Sequence, residues 1–214
     1  MSQNKSKNAQ SMMPNSAKHS RRTFLKISAG ALGLFLGLGG LARAIPHKTL
    51  LRPPGGQDAT SFIAKCVRCD RCRSACPSSV IALAHLSDSI LNARTPVMNF
   101  HLGYCNFCNK CVEVCPTQAL KPFDIKSVKL GLAVVQQDTC IAWQSRGCMV
   151  CVTACPYQAI TLDNQKHPVV DSQKCKGCGM CEKVCPALVM RSYSGGKVRG
   201  IVVTPISGRD EGPV

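Results

Sequence analysis

Aromatic side chains are scarce in this 214-residue chain: six Phe, three Tyr and a single Trp, Trp143, make up 5% of it. That excludes a large aromatic core, and domains with thin cores need a metal, a cofactor or disulfides to hold their fold. Acidic residues are also few, 11 Asp+Glu against 27 Lys+Arg. The apolar stretch Ile27 to Leu41 is broken by Gly30, Gly33, Gly37, Gly39 and Gly40. It falls short of the roughly 20 residues that a membrane-spanning helix needs. There is no nucleophile–base motif, no Gly-rich phosphate loop and no flavin or nicotinamide fingerprint, so nothing points to an enzyme with its own active site. The five histidines (His19, His47, His85, His101, His167) are scattered without ligand-like spacing.

Cysteine, by contrast, is abundant, and all sixteen fall into four runs. The first is Cys66-x2-Cys69-x2-Cys72-x3-Cys76-Pro77, and the second is Cys105-x2-Cys108-x2-Cys111-x3-Cys115-Pro116. The third is Cys140-x7-Cys148-x2-Cys151-x3-Cys155-Pro156, and the fourth is Cys175-x2-Cys178-x2-Cys181-x3-Cys185-Pro186. This is the bacterial ferredoxin pattern. Three thiolates on a tight loop grip three corners of one cubane, and the fourth, on the helical turn that follows, points to the other cluster of a pair. Four [4Fe–4S] clusters per chain are expected, with all sixteen cysteines as ligands. A disulfide scaffold has no reason to repeat x2, x2, x3-Pro four times. Zinc knuckles pair two Cys-x2-Cys units across a longer loop. The third run departs from the others: IAWQSRG separates Cys140 from Cys148. Its cluster is therefore the least certain, and Trp143 in the insert is expected to fill core.

The first 44 residues carry seven Lys or Arg and no acid. Ser20-Arg21-Arg22-Thr23-Phe24-Leu25-Lys26 is a twin-arginine pattern, the apolar stretch follows, and Ala42-Arg43-Ala44 offers a small-x-small cleavage site. The order of these parts reads as a Tat export signal, carried by Arg21 and Arg22, with the periplasm as destination. Retention of the segment would instead leave the protein cytoplasmic or membrane-associated. A Tat-type route suits a protein loaded with its cofactor before export, because the periplasm oxidises exposed thiols.

Without that segment 20 Lys+Arg face 11 Asp+Glu, a net of +9. Sixteen thiolates and four 2+ cores lower this to about +1. Bulk charge therefore gives no case for nucleic-acid binding. Basic residues beside the runs (Lys65, Arg68, Arg71, Arg73, Lys110, Lys174, Lys176) balance cluster charge or face an acidic partner. Gly177 and Gly179 let backbone approach sulfur closely or simply allow a tight loop.

The expected organisation is a signal (1–44), a Pro/Gly linker (45–60, centred on LLRPPGG), a ferredoxin region (61–190) and a loosely ordered tail (191–214). The fold class is α+β, ferredoxin-like, with tandem or nested 2[4Fe–4S] modules and little regular secondary structure outside them. Strand-like runs, 132–136 and 169–170, precede Cys140 and Cys175. The short gap from Cys155 to Cys175 matches pairing of neighbouring motifs.

The pieces LRPPG, CVRCDRC, TPVMNF, CNFCNKC, CIAWQS and CKGCGMCEKVCP make the chain resemble the four-motif ferredoxins of periplasmic nitrate reduction, the NapF and NapG/MauM types. The regular second motif and CIAWQS look more like NapF, and the Tat signal more like NapG. The resemblance implies electron delivery from a membrane quinol dehydrogenase toward a periplasmic molybdenum reductase, with the Tat translocase as export partner. It equally allows help in maturing that reductase's molybdenum subunit. Four-cluster subunits of respiratory complexes suggest nested wiring, to which this reading leans. That plan groups Cys66, Cys69 and Cys72 with Cys185, and Cys175, Cys178 and Cys181 with Cys76. It likewise groups Cys105, Cys108 and Cys111 with Cys155, and Cys140, Cys148 and Cys151 with Cys115.

Overall fold

The computed structural model describes residues 49–145, 147–187 and 199–206. The expected signal lies outside the described residues, as does most of the expected tail. The chain divides into Met1–Pro46 and His47–Val214, and every described residue falls in the second unit.

Each cysteine run ends in a short helical turn that carries its third cysteine. These turns are α2 (Arg71–Ser74), α3 (Lys110–Glu113), α5 (Val150–Ala154) and α6 (Met180–Val184). A proline after the fourth cysteine stops the helix, since it has no amide proton to continue it. The next residues turn sharply: Ser79, Gln118 and Gln158 donate their amides to Cys76, Cys115 and Cys155 at 3.2, 3.4 and 3.2 Å. All three take positive φ, at 52°, 53° and 49°. Such values are uncommon outside glycine, so their recurrence at equivalent positions marks one backbone template used repeatedly. Helix α1 (Ala59–Lys65) precedes the first run, capped by Asp58, which accepts from the Ser61 amide at 3.3 Å. Helix α4 (Ile141–Ser145) is built from the insert of the third run.

The strands pair locally. Between the first two runs, β1 (Ile81–Leu83) and β2 (Pro96–Met98) form an antiparallel ladder with Ile81 opposite Met98. Between the last two, β4 (Ile160–Leu162) and β5 (Pro168–Val170) do the same with Ile160 opposite Val170. Strand β3 (Leu132–Val135) enters the third run and pairs antiparallel with β6 (Ile201–Thr204). The expected strand-like runs thus form where the sequence placed them.

Residues 50–56 of the segment read as a linker are instead packed into the fold. Arg52 and Pro53 are buried, Met98 donates its amide to Leu51 at 2.8 Å, and Lys121 donates to Gly55 at 3.0 Å. It covers the first half where a strand pair closes the second. Pro53 and Pro54 have no amide protons, so the segment cannot extend a ladder there. The apolar cores are small and interleaved with cysteine. Phe62, Val80, Ile81, Met98, Phe100, Phe107 and Leu120 pack with Cys111 and Cys178. Ala133, Ala159, Ile160 and Ile201 pack with Cys151, Cys175 and Cys181. Among the described residues no helix is long and apolar enough to cross a membrane.

Candidate metal centres

The sixteen thiols collect into four quartets around separate cavities. Site I gathers Cys66, Cys69, Cys72 and Cys115. Site II gathers Cys105, Cys108, Cys111 and Cys76. Site III gathers Cys175, Cys178, Cys181 and Cys155. Site IV gathers Cys140, Cys148, Cys151 and Cys185.

Neighbouring motifs therefore exchange their fourth cysteines, and the nested wiring is overturned. The cause lies in the hairpins: β1–β2 and β4–β5 fold each odd-numbered run back onto its immediate successor. Crossing to a distant run would require breaking both ladders.

The donor sets fit [4Fe–4S] clusters. Burial pushes Cys105 and Cys111 up to about 12, and the neighbouring thiols of their own quartet add to the rise. Cys72 is likewise pushed up to about 12 by burial, against a hydrogen bond from the Arg73 amide, and Cys151 up to about 11 by burial and its neighbours. Metal binding needs deprotonated thiols and displaces their protons, so a cationic core relieves this mutual opposition. The fourth cysteines behave differently. At Cys76 burial is outweighed by hydrogen bonds from the Ser78 hydroxyl and the amides of Val80, Ser78 and Ile81, so its pKa is lowered. At Cys115 burial is outweighed in the same way by the amides of Leu120, Thr117 and Ala119 and the Thr117 hydroxyl. The ligand spacing of each run, three cysteines on one loop and a fourth from a neighbouring run, is that of a [4Fe–4S] site.

Arg52 supports the same fit. Its guanidinium is buried and donates to neutral partners: Thr95 Oγ1 at 2.5 Å, the Pro96 carbonyl at 3.1 Å and Asn92 Oδ1. Burial lowers its pKa, and the Cys66 thiolate is the charge that counters this. The sequence reading missed Arg52, because a Pro/Gly-rich surround reads as a break.

The quartets form a line. Cys111 of site II lies close enough to Cys72 of site I to add to the rise that burial causes there. The Cys105 amide of site II donates to the Cys178 carbonyl of site III at 2.8 Å. Cys181 of site III is raised by burial and, among its neighbours, by Cys151 of site IV. The spatial order is I, II, III, IV.

At the II–III junction Phe107 and Tyr157 meet edge to face at 6.4 Å. Phe100 packs against Gly179, where a side chain would strike its ring. Gly177 lies against the Gly131 backbone, and both Gly177 and Gly179 have positive φ. Close backbone packing at the junction is what these two glycines serve. Asp70 and Asn109, at the position of Gly179 in the first two runs, are also left-handed, at 64° and 61°.

The insert of the third run is less slack than the sequence implied. Cys140 is buried, donates its amide to Gln136 at 2.8 Å, and sits in its quartet. Trp143 stacks on His167 with centroids 4.0 Å apart, and it does not line site IV. The basic residues have varied roles. Arg73 pairs with Asp70 at 2.9 Å, Lys174 with Asp171 at 3.6 Å, and Lys176 Nζ donates to the carbonyls of Ile125 and Lys126 at 2.5 and 2.9 Å.

Two family models match, each described as a 4Fe-4S dicluster domain, over residues 65–119 and 133–190. These spans coincide with the I–II and III–IV pairs. The ferredoxin-type protein NapG of Escherichia coli K12 is 39% identical over 200 residues, covering 81% of this chain and 85% of NapG. The methylamine utilization ferredoxin-type protein MauM of Methylophilus methylotrophus is 36% identical over 187 residues, 80% of this chain and 82% of MauM. The chain belongs to the NapF/NapG/MauM-type ferredoxins. NapF of Escherichia coli K12 is 31% identical over 166 residues, 76% of this chain and 93% of NapF. It is thus a ferredoxin-type iron–sulfur protein.

Proposed function

We propose that this protein is a periplasmic electron carrier that holds four [4Fe–4S] clusters in tandem α+β ferredoxin-like modules. It passes single electrons from a membrane quinol-oxidising partner toward a periplasmic molybdenum reductase. The observation that carries the reading is the unbroken line of four cysteine quartets. When bound, a [4Fe–4S] cluster takes up or releases one electron at a potential set by charge, burial and hydrogen bonds to sulfur. The chain supplies those conditions. Apolar packing buries Cys111, Cys140, Cys151, Cys175, Cys178 and Cys181, the turns after Cys76 and Cys115 aim amides at sulfur, and the three junctions keep adjacent sites close. All sixteen cysteines serve as ligands in this reading.

Nitrate reduction is the assignment implied by the resemblance to NapG, and Arg21 and Arg22 supply the export signal to the Tat translocase. Anaerobically purified protein should contain about sixteen iron atoms, with matching acid-labile sulfide, and show coupled-cubane EPR after reduction. Stoichiometric zinc without sulfide refutes the reading. Arg21→Lys with Arg22→Lys tests the location. The double variant should stay inside the cell and lose electron delivery, whereas full activity with all protein retained would favour the maturation role.

A further inference from the structure

The hairpin between the first two runs carries an unusually long connection. Residues 84–95 join β1 to β2, whereas only 163–167 join β4 to β5. The longer connection is held at its base. Buried Arg52 grips Asn92, Thr95 and Pro96, Thr95 is itself buried, and Ala84 exchanges amide hydrogen bonds with Thr95 and Arg94 at 2.9 Å. From this fixed base the loop presents Leu86, Ile90 and Leu91 to solvent, 68%, 80% and 67% exposed, and Val67 beside Cys66 is 62% exposed. These are the four most exposed large apolar side chains among the described residues. Val67 is tied to the loop through its neighbour, since the Arg68 guanidinium donates to the Leu91 carbonyl at 2.9 Å. Exposed apolar side chains gathered beside polar groups mark interaction sites.

The rim is cationic. Arg68, Arg71 and Arg94 all line site I and are exposed. Of the acids nearby, Asp70 is paired with Arg73 at 2.9 Å, Asp88 accepts the His85 amide at 3.1 Å, and the exposed Glu113 beside Arg71 leaves the three arginines in excess. The ligand at this edge, Cys69, is itself exposed, and an open groove bordered by Arg71, Glu113 and Pro116 runs between it and Cys115. An apolar centre, a positive rim and a thiol at the end of the line occur together only here among the described residues.

We infer that this edge is a docking surface for an acidic redox protein, and that electrons enter or leave the chain at site I through the exposed Cys69 side. The inference rests on the electron-carrier reading and adds the end of the line that is used and the chemistry of the partner. Steering of an acidic partner by such a rim raises association rates by about tenfold to a thousandfold and weakens as salt shortens the Debye length.

The test uses the full holo-protein and two donors: reduced flavodoxin, an acidic one-electron donor, and the photogenerated deazariboflavin radical, which is small and neutral. The second-order rate with flavodoxin should fall at least about tenfold between roughly 0.05 and 0.5 M salt. It should fall by a similar factor in a Leu86→Ser/Ile90→Ser/Leu91→Ser variant, whose residues do not line site I. Iron content and the deazariboflavin rate of that variant should not change. A flavodoxin rate indifferent to salt, or indifferent to the loop variant, overturns the proposal, and the salt arm needs no variant to fold. Binding of the holo-protein to phosphatidylglycerol vesicles that is lost in the loop variant, with no effect on flavodoxin, also overturns it and assigns the edge to a lipid surface. If neither donor reduces the protein, the carrier reading itself fails and the inference falls with it.

Discussion

Replacing Gly179 tests the joint between sites II and III, because two separable costs meet at that residue. Gly179 has φ of 81°, and a β-carbon there would run into the Phe100 ring. An alanine in the left-handed region costs about 1–2 kcal/mol. Displacing a packed ring adds about 1–3 kcal/mol, so Gly179→Ala should lose about 2–5 kcal/mol in all. Gly179→Asn separates the costs, because Asn109 already adopts φ of 61° at the same place in the second run. With the backbone cost largely removed, Gly179→Asn should still lose about 1–3 kcal/mol. Pairing either substitution with Phe100→Ala should recover part of the loss from the collision. The assay is anaerobic guanidinium unfolding followed by the visible absorbance of the clusters, alongside EPR of the reduced protein. Spin coupling between sites II and III should weaken before any site loses iron. A Gly179→Asn protein as stable as wild type, or no benefit from Phe100→Ala, would show that Phe100 does not set the joint.

Three further outcomes follow from the same geometry. Cys76→Ser should alter the same EPR signal as Cys108→Ser, because both line site II, whereas a change shared with Cys178→Ser would restore the nested wiring. Arg52→Ala removes a buried donor from Thr95, Asn92 and Pro96 and should cost about 2–4 kcal/mol in denaturant unfolding. Hydrogen exchange should then speed up across 84–95 and not across 163–167. Under limited ferricyanide oxidation site III should be the last to lose its signal, since Cys175, Cys178 and Cys181 are all buried while Cys69 and Cys108 are exposed; loss of site III first would contradict the burial pattern.

The thiols were legible in the sequence because ligand spacing is local. One tight loop and one helical turn decide where three cysteines and their distant fourth must stand. The strands before Cys140 and Cys175 were legible for the same reason. The pairing was not, because the partner of each fourth cysteine depends on which hairpin closes. The Cys155–Cys175 gap pointed to neighbours, while the likeness to respiratory subunits pulled the reading the other way. The insert at 141–147 looked slack because length alone does not show that residues 141–145 coil into a turn of helix. LLRPPGG was misread because Pro and Gly mark breaks in ladders, and they serve equally well where a chain must cross a core without joining one. Phe100 sat inside TPVMNF as part of a resemblance, and only the packing shows what it touches.

The order of the quartets in space differs from the order in which the ribosome makes them. Sites I and II are complete once Cys115 exists, and nothing later in the chain contributes a thiol to them. Site III draws its triad from the last run, and site IV waits for Cys185. The third run, made earlier, ends at the far terminus, and the final run becomes the coupler in the middle. A nascent or truncated chain that stops short of Cys185 can therefore carry a finished front half with no continuous route through it. Continuity arrives only with the last run, whose Cys181 completes site III and whose Cys185 completes site IV.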